Sequence, residues 1–131
     1  MKILVLDPYP NQPWRISKDT SGEYGTANRF GAGLVAGLLT RLMSKSVNWP
    51  PLHSVYLLGV LRKRGHEVAY SKDWEDAAGQ DLSFVTSSIV AHETELEAVR
   101  NVGALGVRVG AIGPFAKSIA RIRTDFPDGA A

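Results

Sequence analysis

Three short segments place small or polar residues directly behind apolar runs: Asp7–Gln12, Thr86–Val90 and Gly113–Lys117. Glycine, hydroxyl groups and free backbone N–H or C=O groups at such points let a ligand approach the main chain closely. The candidate ligand-binding residues are therefore Pro8, Tyr9, Asn11 and Gln12 in the first segment, Thr86, Ser87, Ser88 and Ile89 in the second, and Gly113 and Pro114 in the third. Prolines, glycines and serines also simply end strands. One such segment means little; three of them carry the reading. No residue stands out as a catalytic acid, base or nucleophile.

Several sharper chemistries are excluded or weakened. The chain has no cysteine, so it holds no disulfide, Cys-ligated zinc or Cys-ligated iron–sulfur cluster of its own. His53, His66 and His92 are not at metal-ligand spacing and are expected to be structural or solvent-facing. Glu93, Glu95 and Glu97 alternate around an expected helix start. They read as a complement to the helix dipole and a solvated face, not as a catalytic pair. Gly31-Ala32-Gly33-Leu34-Val35-Ala36-Gly37 has glycines at dinucleotide-like spacing but does not directly follow the first strand, so helix packing by small residues is the better reading. There is no Walker-type phosphate loop and no Gly-x-Ser-x-Gly elbow to make Ser87 or Ser88 a nucleophile. Trp14, Trp49 and Trp74 lie in connections, where they either cap the core or stack on a ligand.

The elements that position these segments follow from periodicity. Lys2–Leu6 is a continuous apolar run stopped by Asp7-Pro8, as in a central parallel strand covered on both faces. Pro8–Gly25 is a long polar connection. Leu34, Val35, Leu38, Leu39, Leu42 and Met43 predict a helix over about Gly33–Lys45. Pro51 starts a second, over Leu52–Arg64, with Arg62-Lys63-Arg64 in the last turn and Gly65 as its stop. Strands follow at His66–Tyr70, Leu82–Ile89 and Val107–Ile112. Between them lie a polar connection over Ser71–Gln80, with a partial helical turn, and a helix over Glu93–Leu105 with Leu96, Val99 and Leu105 inward. Phe115–Arg123 could form one more helix, and Thr124–Ala131 reads as a disordered tail. Strand–helix alternation gives an open parallel α/β sheet. Four strands are visible where such sheets commonly have more, so the expected architecture lacks its last strand. In such a sheet, ligands bind beyond the carboxyl ends of the strands, where all three segments fall.

The 131 residues are 44% hydrophobic and 21% charged, enough for one domain with a buried core. The formal net charge is only +2, with seven acidic and no basic residues over 73–97. This is a mild dipole and not the footprint of a nucleic-acid binder. Gly31–Leu39 is too short to span a bilayer, and the N-terminus meets Asp7 and two prolines too early for a signal peptide. The expected setting is cytoplasmic, without nucleic-acid or membrane partners.

Pro50-Pro51-Leu52, Tyr56-Leu57-Leu58 and Arg64-Gly65-His66-Glu67-Val68, taken in this order, resemble the cobalamin-binding domains at the N-terminus of radical S-adenosylmethionine enzymes. Leu82-Ser83-Phe84-Val85-Thr86-Ser87-Ser88-Ile89 and Val109-Gly110-Ala111-Ile112-Gly113-Pro114 follow at similar spacing. The resemblance spans residues 1–119 and leaves 120–131 outside it. It implies a three-layer flavodoxin-like (Rossmann-like) sheet, with the corrin over the strand ends and the nucleotide tail running between them. It places Ser87 at the serine and Ile89 at the leucine of a Ser-x-Leu motif. Gly113 falls at the second glycine of the fourth-strand motif, and Ile112 replaces the first. The loop Asp7–Pro13 lacks the histidine that ligates cobalt in other cobalamin domains, so cobalt is expected without a protein histidine, facing water or a side chain such as Asn11 or Gln12.

By the same resemblance, the chain is the cobalamin-binding part of a longer methyltransferase. Its partner would be a radical S-adenosylmethionine domain that binds a [4Fe–4S] cluster and S-adenosylmethionine. The module alone would bind and not turn over. The alternative is a flavodoxin-like signalling or protein-interaction domain without cofactor. A phospho-receiver needs more acidic residues than Asp7 at the strand ends. A flavin carrier needs a hydroxyl-rich loop where Pro8-Tyr9-Pro10 stands.

Overall fold

The computed structural model describes residues 1–11, 15–18, 26–28, 31–44 and 50–113. Four strands form the main sheet: β1 (Lys2–Leu6), β4 (Glu67–Ser71), β5 (Leu82–Thr86) and β6 (Arg108–Ile112). All are parallel, in the order β4-β1-β5-β6. Between β1 and β4 the chain forms a separate two-stranded antiparallel ribbon, β2 (Arg15–Ser17) with β3 (Thr26–Asn28), and two helices, α1 (Leu34–Ser44) and α2 (Leu52–Lys63). A 3-10 turn (Trp74–Ala77) links β4 to β5, and α3 (His92–Ala104) links β5 to β6. This is an open parallel α/β sheet, as the strand–helix alternation predicts, and it is of the flavodoxin-like kind that the resemblance implies. Among the described residues, no helix is long and apolar enough to cross a membrane.

The continuous apolar run of β1 explains its central place. Ile3, Leu4, Val5 and Leu6 are all buried, and alternate residues point to opposite faces. Leu4 and Leu6 join Val85, Ala98, Val99, Val102 and Val109 under α3. Ile3 and Val5 join Val68, with Leu57, Leu58 and Leu61 of α2 packed against them. One strand thus supplies both halves of the core. Trp74 packs against the α3 half and so caps it.

The helix ends also follow local chemistry. Pro51 stands just before α2, and its carbonyl accepts from Val55 N–H at 3.1 Å. Gly65 follows the helix at φ +82°, where residues with a Cβ are strained, and its N–H donates to the Arg62 carbonyl at 3.0 Å.

Four expectations need correction. β5 ends at Thr86, not at Ile89, because Ser88 turns away to α3. The connection expected over Pro8–Gly25 contains β2, whose ribbon partner β3 follows directly after it. Leu105, expected inward, is 43% exposed because it lies just beyond the end of α3. The apolar positions of α1 are not buried: Leu34, Val35, Leu38, Leu39 and Leu42 are all exposed, Leu34 at 95%. The expectations for Trp14, Trp49, the Phe115–Arg123 helix and the tail lie outside the described residues.

Candidate ligand-binding rim

The carboxyl ends of β1 and β5 are joined by a buried polar cluster. Asp7 follows β1 directly and is fully buried. Its Oδ1 accepts from Thr86 Oγ1 at 2.6 Å, and its Oδ2 accepts from Tyr70 Oη at 2.9 Å. These bonds tie β1 to the ends of both neighbouring strands.

Lys18, at the end of β2, inserts its ammonium into the same place. Nζ lies 2.9 Å from Asp7 Oδ1 and 2.8 Å from Glu95 Oε1, and donates to the Pro8 carbonyl at 2.6 Å. An ammonium has three hydrogens, and three strong acceptors take them. The Tyr9 ring covers the group, with Lys18 Nζ 4.7 Å from its centroid and Lys72 Nζ at 4.8 Å. Partial burial pushes the Lys72 ammonium below its ordinary pKa; Asp7 opposes that shift and Lys18 adds to it.

Glu95 closes the cluster from α3. The Ser88 N–H donates to Oε2 and the Ser88 hydroxyl to Oε1, both at 2.8 Å. The alternation of Glu93, Glu95 and Glu97 predicts a solvated face, but Glu95 is buried at 0% exposure. The missed signal is spacing, since Glu95 shares a helical stripe with the buried Ala98, Val99 and Val102. Lys18 was also missed, because nothing in a polar connection marks one lysine as the buried one.

Burial pushes the Glu95 carboxyl above its ordinary pKa, against the opposing pull of Lys18 and Ser88. A folded state that holds this proton more tightly than the unfolded chain is stabilised as pH falls towards the ordinary glutamate range. That contribution is lost as pH rises through the raised value. Urea unfolding across this window should show the slope in the native protein, and Glu95→Gln should remove it.

The second part of the rim joins β5 to β6. Ser87 N–H donates to the Ile112 carbonyl at 2.7 Å, extending the strand pairing by one residue. Gly113 follows at φ +135°, and a Cβ there would lie 2.5 Å from the Ser87 carbonyl oxygen. The two main chains therefore touch where the sequence predicted small residues. Ser87 Oγ is buried and has no hydrogen-bond partner among the described residues.

The structure thus sorts the predicted site residues. Pro8, Tyr9, Thr86 and Ser88 gather around Lys18, and both hydroxyls are spent on carboxylates. Ser87 and Gly113 meet separately, with one hydroxyl left over. Ile89 and Asn11 are exposed beside the rim. Gln12 and Pro114 lie outside the described residues. No protein-family model, curated protein or solved structure matches the chain.

Proposed function

We propose that this chain is the cobalamin-binding module of a radical S-adenosylmethionine methyltransferase. The reading starts from the ordered resemblance of residues 1–119. Its structural support is an open parallel sheet whose β5–β6 rim is built from small residues. The single observation that carries it is Ser87 Oγ, a buried hydroxyl without a partner among the described residues, beside a glycine that keeps the main chain bare. Buried polar groups are normally hydrogen-bonded, so an unpaired one at a ligand rim fits a polar group of the incoming cofactor.

Ser87 and Gly113 would hold the nucleotide tail, while Ile89 and Asn11 lie where the macrocycle would rest. When bound, cobalamin supplies a cobalt centre able to carry a methyl group, and the protein supplies its orientation. The chain has no cysteine, so a Cys-ligated cluster would have to come from another domain.

Incubation with hydroxocobalamin, desalting and a visible spectrum test the reading. Retained corrin absorbance at about one equivalent is expected, and Ser87→Leu should abolish it without unfolding the protein. A folded native protein that retains no corrin overturns the assignment.

A second reading, a protein-interaction domain, is favoured by α1. Leu34, Val35, Leu38 and Leu42 expose apolar surface on a helix whose only charged residue is Arg41. An 11-residue helix is marginal in water without packing. This reading predicts a folded protein that leaves hydroxocobalamin in solution.

A further inference from the structure

The amino ends of the main strands, opposite the rim, carry a regular pattern of charge. Glu67, Lys2 and Arg108 are the first residues of β4, β1 and β6, and Asp81 directly precedes β5. The pairing register sets them side by side, with Lys2 opposite Glu67 and Arg108 opposite Leu82. Asp81 completes the row. Its N–H donates to the Lys2 carbonyl at 2.9 Å, its Oδ2 accepts from the Lys2 N–H at 2.7 Å, and its carbonyl accepts from Arg108 Nε at 3.3 Å. In the strand order β4-β1-β5-β6 the row therefore reads minus, plus, minus, plus. All four residues are exposed, and none of them forms an ion pair among the described residues.

We propose that this edge docks against the same edge of a second copy of the chain, related to it by a two-fold axis perpendicular to the sheet. That rotation reverses the row. Glu67 then faces Arg108 of the other copy, Lys2 faces its Asp81, and each pair occurs twice. An alternating row of four is complementary to its own reverse, whereas a row reading plus, minus, minus, plus would meet like charges. Helix α2 packs over β1 and β4, so the same rotation carries its basic last turn, Arg62 and Lys63, to the β5–β6 side of the other copy and away from its own equivalent. Met1 and Leu105, at 51% and 43% exposure, add apolar surface at this end of the sheet. Exposed ion pairs are weak singly and steer association more than they tighten it, so the dimer is modest and salt-sensitive.

Sedimentation equilibrium of the full chain tests this. A monomer–dimer equilibrium is expected at about 100 μM protein in low salt, at the weak end of specific interfaces. Salt that shortens the screening length from about 30 Å to about 8 Å should weaken the dimer about tenfold. Glu67→Arg sets like charges opposite each other twice and should weaken it about tenfold to a hundredfold, as should Arg108→Glu. Both side chains are exposed, so the variants should keep the native urea midpoint. Positions 67 and 108 stand about 14 Å apart across one sheet, so a reversal at one cannot repair the other within a single chain. The double variant Glu67→Arg/Arg108→Glu restores opposite charges between copies and should recover dimerisation to within about threefold of native. A chain that stays monomeric at low salt overturns the proposal, as does assembly beyond the dimer or a double variant as weak as the singles. Association indifferent to salt and to these reversals also overturns it, and assigns the contact to the exposed apolar face of α1. The edge lies at the opposite end of the strands from Ser87 and Gly113, so hydroxocobalamin retention has no bearing on the outcome.

Discussion

Asp7→Leu should destabilise the protein by about 3–5 kcal/mol, read as a large fall in the urea midpoint. Three donors meet on the Asp7 carboxylate: Lys18 Nζ, Thr86 Oγ1 and Tyr70 Oη. Leucine accepts from none of them, and Lys18 and Thr86 are buried, where water does not replace the lost partner freely. A buried donor that loses its acceptor costs about 1–3 kcal/mol; Thr86 Oγ1 bears this in full, while Lys18 keeps Glu95 and the Pro8 carbonyl but loses one charged partner. Charge alone does not produce the loss, since Lys18 still faces Glu95.

Asp7→Asn separates the two effects. Its one carbonyl oxygen can still accept from Lys18 and Thr86, and its amide can donate to a rotated Tyr70 hydroxyl. The cluster also falls from two carboxylates against one ammonium to one against one. A loss of about 1 kcal/mol is expected. Equal losses for the two variants would show that Asp7 acts through packing and not through its hydrogen bonds. A typical domain has only about 5–15 kcal/mol in total, so the leucine variant should be visibly marginal at room temperature.

The sheet was legible because its signals are local. The uninterrupted apolar run of β1 can only be satisfied by cover on both faces, and it has such cover. Pro51 and Gly65 bracket α2 because a missing N–H and a missing Cβ suit those two positions. The close approach at the β5–β6 rim was legible for the same reason, since glycine and serine leave the backbone accessible there.

The charged cluster was not legible, because its partners are remote in the chain. Lys18 lies 68 positions from Thr86, and Thr86 lies 79 from Asp7. No periodicity links such positions. Glu95 was an intermediate case. Its neighbours in sequence, Glu93 and Glu97, are exposed and suggest a solvated face. Its neighbours three, four and seven residues on are buried, and those share its face of the helix. Helix α1 shows the converse failure. Apolar spacing specifies that a helix has a sticky face, but it does not say whether this chain or another molecule covers that face.

Gly113→Ala should cost about 2–4 kcal/mol and should cost it at the rim. Two penalties coincide at this position. A φ of +135° is a backbone conformation that side-chain-bearing residues rarely adopt, and the added Cβ would lie 2.5 Å from the Ser87 carbonyl oxygen. That oxygen is main chain and cannot rotate out of the way like a flexible side chain. Relief requires moving the end of β5 away from β6, which stretches the bond from Ser87 N–H to the Ile112 carbonyl. Gly65 and Gly106 provide the control. Both have positive φ, at +82° and +75°, but nothing lies within 4 Å of an added Cβ. Alanine at either should cost only the backbone strain, about 1–2 kcal/mol. The difference between Gly113→Ala and these two isolates the price of the close approach. Faster amide exchange at Ser87 should accompany the loss in the Gly113 variant alone. If all three variants fall by the same amount, the Ser87–Gly113 contact does not constrain the rim, and small residues there serve only to turn the chain.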